Sequence, residues 1–167
     1  MNQIWAPWRA QYIQKPPESV ERAGSCFLCR GLTSTEDREN LVVERSSHSL
    51  VVLNRFPYNN GHLLVAPCVH RGTLGELDGP ELFEPIATVA RMITILDRML
   101  EPQGYNVGLN QGKAAGAGLP GHLHWHIVPR WDGDTNFMPV LGHSKVIAES
   151  LNEFYDRLLK ELGHEQR

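Results

Sequence analysis

Short apolar runs rich in Val and Leu, separated by turn-forming residues, are the first pattern along the chain. Runs of about four to eight such residues bounded by Gly, Pro or Asn are typical of β-strands. The sequence therefore predicts five strands, at residues 41–44, 49–53, 62–66, 105–110 and 122–129.

A helical pattern follows the third predicted strand. Apolar residues recur at helical spacing over residues 86–100, as on the buried face of an amphipathic helix. Asp78 and Glu81 have the spacing of a capping box, which predicts the start of this helix. Pro85 then marks its first turn or a kink, because proline has no backbone N–H to donate. The helix is expected to end near Glu101.

The remaining segments carry weaker signals. Residues 1–40 are predicted to be irregular apart from a helical turn or two over residues 9–14, and residues 146–162 are predicted to form a C-terminal helix. Because the strands come in a run interrupted by one long helix, their order favours an antiparallel α+β fold. The 167 residues are expected to form one domain, with a core over residues 41–140 and a helical segment over residues 141–167.

Charge and hydropathy exclude several classes of protein. The formal net charge of −3 argues against nucleic-acid binding through a broad basic surface, although a local site can still bind a small anion. No apolar run reaches the ~20 residues that a membrane span needs, and the N-terminus lacks the pattern of a signal peptide. A cytoplasmic protein with no membrane or nucleic-acid partner is therefore expected.

The chain has three cysteines, and this odd number is a poor disulfide framework. In a cytoplasmic protein a Cys-x-x-Cys pair such as Cys26 and Cys29 more often serves metal or redox chemistry. Two buried thiols are the alternative interpretation of this pair. Cys68 is expected to be a plain buried thiol.

Alternating histidines mark the last predicted strand. Because successive side chains of a strand point to opposite faces, His122, His124 and His126 are expected to share one face, about 7 Å apart. The residues between them, Leu123, Trp125 and Ile127, are expected to face the core. A surface accident or a bare metal-binding ridge would give the same pattern, but the strict alternation favours a catalytic site.

A glycine-rich loop over residues 112–121 comes directly before these histidines. Glycines let backbone N–H groups approach an anion closely, as phosphate sites require. A flexible connection is the alternative for a lone loop of this kind. Next to three histidines on one face, the loop favours a phosphate site.

These motifs together resemble the histidine-triad (HIT) superfamily of nucleotide hydrolases and transferases. The resemblance rests first on His122-x-His124-x-His126 followed by two apolar residues. Further segments similar to the superfamily's nucleotide pocket and phosphate loop are residues 54–57, 61–67 and 110–112. Residues 129–137 and 5–9 are similar to the bacterial branch that includes diadenosine tetraphosphate phosphorylases.

The resemblance implies a fold and a catalytic set. It implies an α+β fold with a five-stranded antiparallel sheet, one long helix and a C-terminal helix, assembled as a homodimer. It assigns His124 as the nucleophile that forms a covalent nucleotidyl-histidine intermediate, with His122, His126 and His62 in the same catalytic set. His126 and His62 would contact the phosphate, and an ordinary structural histidine is the alternative for His62.

The resemblance also implies nucleotide-binding residues. Asn110 would orient the α-phosphate, the backbone of Gly118 and Leu119 would complete the phosphate site, and Asn54 would bind ribose. A turn-forming asparagine is the alternative for Asn54. Many family members carry Gln or Ser shortly before the triad, whereas residues 116–121 of this chain offer no side-chain hydroxyl or amide there.

A structural zinc site is implied by the same bacterial proteins and by the related galactose-1-phosphate uridylyltransferases. Its ligands would be Cys26, Cys29, His70 and His122, with His48 as the alternative fourth ligand. Two Cys and two His suit tetrahedral zinc. Magnesium is a plausible companion of a polyphosphate substrate.

Several reactions remain open on the sequence. The main hypothesis is cleavage of dinucleoside polyphosphates of the diadenosine tetraphosphate class, with phosphate (a phosphorylase of the ATP adenylyltransferase type) or water (a hydrolase) as the acceptor. An adenosine phosphoramidate hydrolase is the alternative enzyme. A nucleotide-binding sensor without turnover is the alternative from another class, and an intact triad argues against it.

Overall fold

A computed structural model describes residues 26–135 and 148–165 of the chain. Predictions for residues 1–25 and 136–147, including the helical turn at 9–14, lie outside the described residues. No helix among the described residues is long and apolar enough to cross a membrane.

The five predicted strands form one antiparallel sheet, which confirms the α+β fold class. The sheet order is β1-β2-β3-β5-β4. The strands are β1 (Val42–Arg45), β2 (Ser49–Leu53), β3 (Leu63–Pro67), β4 (Gly104–Leu109) and β5 (Trp125–Arg130). Strand β3 therefore lies beside β5, although 57 residues separate Pro67 from Trp125 in the chain.

Four helices accompany the sheet in the described part of the chain: α1 (Phe27–Thr33), α2 (Asp37–Asn40), α3 (Gly79–Leu100) and α4 (Leu151–Glu165). The predicted capping box at the start of α3 is present, because Asp78 accepts from the Glu81 N–H and Glu81 accepts from the Asp78 N–H. Helix α3 ends where Glu101 adopts the left-handed conformation, close to the predicted end.

Three predicted boundaries are wrong. Residues 1–40 are not wholly irregular, since α1 and α2 lie within them. The C-terminal helix begins at Leu151 rather than residue 146, because Ser150 and Glu153 form a capping box there. Pro85 is not the first turn of α3, which begins six residues earlier at Gly79.

At β2 and β3 both faces of the sheet are covered, so these two strands are buried along their whole length, whereas β4 is largely exposed. Leu63 and Val65 pack with apolar residues of α3 and α4 on one face, whereas Leu64 and Ala66 pack with α1 on the other. This alternation follows from the two-residue period of a strand. The predicted core face of the histidine segment is confirmed, since Leu123, Trp125 and Ile127 belong to the α3–α4 side.

Gly61 is expected to tolerate no side chain. Its φ of +75° is unfavourable for other residues, and an added Cβ would lie 2.6 Å from Leu100 Cδ1 and 3.3 Å from Phe154 Cζ. We expect Gly61→Ala to lower the free energy of unfolding by about 2 to 3 kcal/mol, through backbone strain and overpacking. Urea denaturation measures the change.

Gly133→Ala is the matched control, because Gly133 has the same φ of +75° with nothing within 4 Å of its added Cβ. Gly133→Ala should lower the free energy of unfolding through backbone strain alone, by about 1 kcal/mol. Equal losses in the two variants would show that contact with Leu100 and Phe154 does not restrict Gly61.

Candidate active site

Only the last part of the histidine segment, from Trp125 onward, belongs to β5. The predicted strand over residues 122–129 is wrong at its start, since β5 begins at Trp125. The reason is that other contacts replace the strand ladder before that point. The His122 Nε2–H donates to the Pro67 carbonyl at 2.9 Å, and the Leu123 N–H donates to the Arg71 carbonyl at 2.7 Å.

His126 is paired with Leu64 on the α1 side of the sheet, and the ring of His122 contacts Cys26 on that same side. The histidines thus lie opposite Leu123, Trp125 and Ile127 as predicted, but their rings have different neighbours. The rings of His124 and His126 are neighbours, with their centroids 5.0 Å apart. The ring of His122 is buried and instead faces the thiols of Cys26 and Cys29. The segment thus divides into a pair of imidazoles and one imidazole in a separate cluster.

His124 has the protonation state that a nucleophilic imidazole needs. Its Nδ1–H donates to the backbone carbonyl of His122 at 2.9 Å, since a carbonyl only accepts. His124 is only 7 % exposed, and this burial lowers its pKa. The ring is therefore neutral near pH 7. A neutral imidazole with its proton on Nδ1 carries its lone pair on Nε2.

His126 is the second member of the pair. It is paired with Leu64 of β3 and Gly108 of β4. Burial, with a smaller contribution from His124, lowers the pKa of His126 to about 4. Its ring is therefore neutral near pH 7 as well, and its Nδ1 lies 2.9 Å from Nε2 of His62.

His62 lies behind His126 and is fully buried, at 0 % exposure. Its ring lies against the ring of His126, and the contact with phosphate that the resemblance implies stays a prediction. Tyr58, which the sequence reasoning missed, covers both: its ring is stacked on His126 at 5.8 Å and tilted on His62 at 4.6 Å. An aromatic residue in the turn before His62 was the available signal.

The four predicted nucleotide-binding residues surround this pair unevenly. Asn110 directly follows β4, one residue beyond the Leu109–Trp125 pair, and its contact with the α-phosphate stays a prediction. Asn54 is committed to its own turn, because its Oδ1 accepts the Phe56 N–H at 3.0 Å and its amide points at His62. Ribose binding by Asn54 therefore stays a prediction.

Some backbone N–H groups of the glycine-rich loop form hydrogen bonds within the loop. The N–H groups of Ala115, Gly116 and Ala117 donate to carbonyls within the loop. Gly118 is exposed and Leu119 is buried in the α1-side core. Within residues 26–135 and 148–165, the N–H groups of these two residues donate to no protein acceptor. These two N–H groups can therefore donate to a bound anion, as predicted for Gly118 and Leu119.

Cys26, Cys29, His70 and His122 form a cluster that could hold a metal ion. Their ligand atoms lie within 4.8 Å of one another. The Cys26 and Cys29 Sγ atoms lie 3.3 and 3.5 Å from His122 Nδ1, and Cys29 Sγ lies 3.1 Å from His70 Nδ1. His48, the alternative ligand, lies outside the cluster, in the β1–β2 turn.

The donor chemistry of this cluster fits a tetrahedral cation. Burial lowers the pKa of His122 to about 4, so its ring is neutral, and its Nε2–H is committed to Pro67. Its Nδ1 lone pair therefore faces the thiols, which is the usual arrangement of a metal-binding histidine. Burial raises the pKa of Cys26 to about 11, so a bound cation would have to displace the thiol proton.

Asp134 connects the end of β5 to the turn that carries Tyr58. Its carboxylate accepts from Arg130 at 2.6 and 2.7 Å, from the Trp131 N–H at 3.1 Å, and from Asn59 at 2.8 Å. Asn59 also donates to the Pro129 carbonyl at 3.1 Å. The motif over residues 131–134, which the sequence linked to one enzyme branch, thus holds the 54–61 turn in place.

Comparisons with known proteins agree with this geometry. AP-4-A phosphorylase of Mycobacterium tuberculosis is 38 % identical over 156 residues, covering 92 % of this chain and 80 % of that protein. The asymmetrical bis(5'-nucleosyl)-tetraphosphatase of Schizosaccharomyces pombe is 30 % identical over 93 residues, covering 56 % of this chain and 50 % of that protein.

The crystal structure of a Zn-bound histidine triad family protein from Mycobacterium smegmatis has a TM-score of 0.68 and 23 % identity. The match covers 87 % of this chain and 98 % of that one, and it shows the shared fold. The HIT domain profile matches residues 35–133, which include β1–β5, α3 and the whole histidine segment. The chain therefore belongs to the HIT domain family.

Proposed function

We propose that this protein cleaves dinucleoside polyphosphates by transferring a nucleotidyl group through His124. The observation that carries the proposal is the state of His124: a buried, neutral imidazole whose Nδ1–H is bound to the His122 carbonyl and whose Nε2 lone pair remains. Pure binding needs no such lone pair. The names of the Mycobacterium tuberculosis and Schizosaccharomyces pombe relatives support the same substrate class.

The chemistry follows from the two neutral imidazoles. Nε2 of His124 attacks the α-phosphorus, forming a P–N bond as the P–O bond to the bridging oxygen breaks. With diadenosine tetraphosphate, ATP leaves and adenylyl-His124 remains. An oxygen of the acceptor then attacks phosphorus and breaks the P–N bond. Phosphate as acceptor yields ADP, and water yields AMP.

The charge that develops on the phosphate needs donors. The N–H groups of Gly118 and Leu119 would supply them from the loop, and Asn110, directly after β4, would orient the α-phosphate. Backbone donors of this kind are held rigidly by the fold and need little reorganisation during the reaction. The buried side chain of Leu119 anchors the loop, and backbone N–H groups would have to make the contacts for which residues 116–121 offer no Ser or Gln.

Phosphorolysis is the proposed reaction, ahead of hydrolysis. The AP-4-A phosphorylase match covers 80 % of that protein at 38 % identity, whereas the tetraphosphatase match covers half of its protein. The phosphate acceptor is also an anion that the loop donors can bind. Magnesium as a companion of the substrate, a homodimer and a cytoplasmic location stay predictions from the sequence.

Zinc is the proposed occupant of the cluster of Cys26, Cys29, His70 and His122. Two sulfur and two nitrogen donors within 4.8 Å of one another favour zinc over the oxygen-preferring cations. Bound there, the ion would supply structural cross-linking and no step of the reaction. It would tie α1 to the residues after β3 and to the first histidine of the segment.

The reaction is tested by incubating the protein with diadenosine tetraphosphate, with and without phosphate and magnesium, and separating the products. ADP plus ATP that appear only with phosphate are the expected result. AMP plus ATP without phosphate would replace the phosphorylase with a hydrolase. Cleavage of an adenosine phosphoramidate alone, or nucleotide binding without any turnover, would overturn the proposed substrate class.

A further inference from the structure

We propose that His62 is a positioning residue that places the ring proton of His126 on Nε2. The inference deepens the proposed function, on which its catalytic meaning rests. A chain of hydrogen bonds leads from the 54–61 turn through His62 to His126, and the backbone N–H of Tyr58 sets its direction. The chain ends at the imidazole beside the nucleophile.

The first bond determines the protonation of His62. The backbone N–H of Tyr58 donates to Nδ1 of His62 at 3.0 Å. The side-chain amide nitrogen of Asn54 lies 3.2 Å from the same atom and 3.4 Å from Nε2, and it faces His62 because Oδ1 of Asn54 accepts from Phe56. The Tyr58 N–H, which can only donate, is the contact that decides the state of Nδ1. Nδ1 of His62 is therefore unprotonated, and the proton of this ring is on Nε2.

The second bond transmits this state to His126. Nε2 of His62 and Nδ1 of His126 lie 2.9 Å apart, so one proton lies between them. Because that proton belongs to His62, Nδ1 of His126 is the acceptor. The His126 ring is neutral near pH 7, since burial lowers its pKa to about 4. Its single proton is therefore on Nε2.

The two neighbouring imidazoles are thus held in opposite tautomers. His124 has its proton on Nδ1 and its lone pair on Nε2, whereas His126 has the reverse. One ring can attack phosphorus while the other donates to a phosphate or bridging oxygen. With the proton of His126 on Nδ1, its Nε2 lone pair would face the phosphate oxygens and repel them.

Tyr58, where this series of hydrogen bonds begins, is held in place by contacts outside the site. Asn59, next to Tyr58, is 8 % exposed and donates to both the Asp134 carboxylate and the Pro129 carbonyl. The Tyr58 ring lies at 14° to the plane of the His126 ring. The turn therefore cannot move away from His62 without breaking these contacts.

Nuclear magnetic resonance on the full-length protein with ¹⁵N-labelled histidine tests the tautomers directly. Long-range proton–nitrogen correlations at pH 7.5 distinguish Nδ1–H from Nε2–H, and the His126→Gln variant assigns the signals. We expect His126 as the Nε2–H tautomer and His124 as the Nδ1–H tautomer. His126 with its proton on Nδ1 in the unmodified protein overturns the proposal, whatever the variants do.

Two variants of His62 separate positioning from packing. His62→Leu removes the donor and keeps the bulk, so we expect His126 to become a mixture of tautomers. His62→Gln presents an amide N–H near the position of Nε2, so the Nε2–H tautomer should return. An unchanged His126 tautomer in folded His62→Leu would show that another contact sets it.

Kinetics with diadenosine tetraphosphate give the second readout. We expect kcat of His62→Leu to fall about 10- to 100-fold with little change in KM, as for other residues that orient a catalytic histidine. His62→Gln should recover most of that loss. Equal losses in the two variants, with tautomers as expected, would overturn the catalytic role. A protein inactive on dinucleotides would contradict the proposed function but leave the tautomer result standing.

Discussion

Replacing His124 with alanine is expected to lower turnover of diadenosine tetraphosphate by ~10³-fold or more, as removal of a nucleophile does. The reason is that no other described side chain offers an imidazole lone pair at that position. The ring of His126 is 5.0 Å away, with its Nδ1 facing His62. Single-turnover kinetics and nucleotide affinity, measured on the same preparation, separate the chemical step from binding.

Trapping the covalent intermediate tests the role of His124 in a second way. Substrate labelled at the α-phosphorus should leave an acid-labile, base-stable label on the unmodified protein and none on His124→Ala. The His124→Asn variant is the matched comparison, because its amide can still donate to the His122 carbonyl while it lacks the nucleophilic nitrogen. Nearly full turnover in either variant would remove His124 from the mechanism.

His48→Ala is the control for loss of a histidine as such. His48 lies in the β1–β2 turn. Its contact with Glu84, at 2.8 Å, is made by its backbone N–H, which the substitution keeps. Turnover of this variant should match that of the unmodified protein. A large loss in His48→Ala would mean that the assay reports general stability rather than the site.

Removing the metal cluster is expected to produce the second large effect. We expect one zinc ion per chain in the purified protein, and its loss in both Cys26→Ser and Cys29→Ser. A structural zinc site contributes folding free energy outright, so unfolding should become easier by about 3 kcal/mol or more. For a chain of this size, that corresponds to a fall in Tm of about 6 to 12 °C. Metal analysis and thermal unfolding measure the two quantities.

Cys68→Ser is the matched control, since Cys68 is the one cysteine of the chain outside the cluster. It should keep its metal and lose less than about 1 kcal/mol. Full metal content in the Cys26→Ser protein would contradict the assigned ligands. Loss of metal without loss of stability would contradict the structural role.

His122 connects the two large effects. Its side chain belongs to the metal cluster, and its backbone carbonyl accepts the Nδ1–H of His124. Movement of His122 on metal loss would therefore also disturb the tautomer of His124. For this reason we expect the cysteine variants to lose some turnover, although neither thiol lies at the proposed phosphate.

The sequence by itself determined the order of the five strands along the chain, the core face of the histidine segment, and the capping box and end of α3. These features depend on local periodicity and on capping residues such as Asp78 and Glu81, which act within a few neighbours. The short helix α1 escaped prediction because its start is capped by the thiol of Cys26, an unusual capping residue.

Only the tertiary structure decided which neighbours each histidine ring has. Strand alternation predicted three rings on one face, but not that the His122 ring contacts the Cys26 thiol while the His124 and His126 rings are neighbours. The position of His62 behind His126 depends on the pairing of β3 with β5, which joins residues 64 positions apart. Hydrogen-bond direction, and with it the tautomer of each imidazole, depends on partners that no local pattern contains.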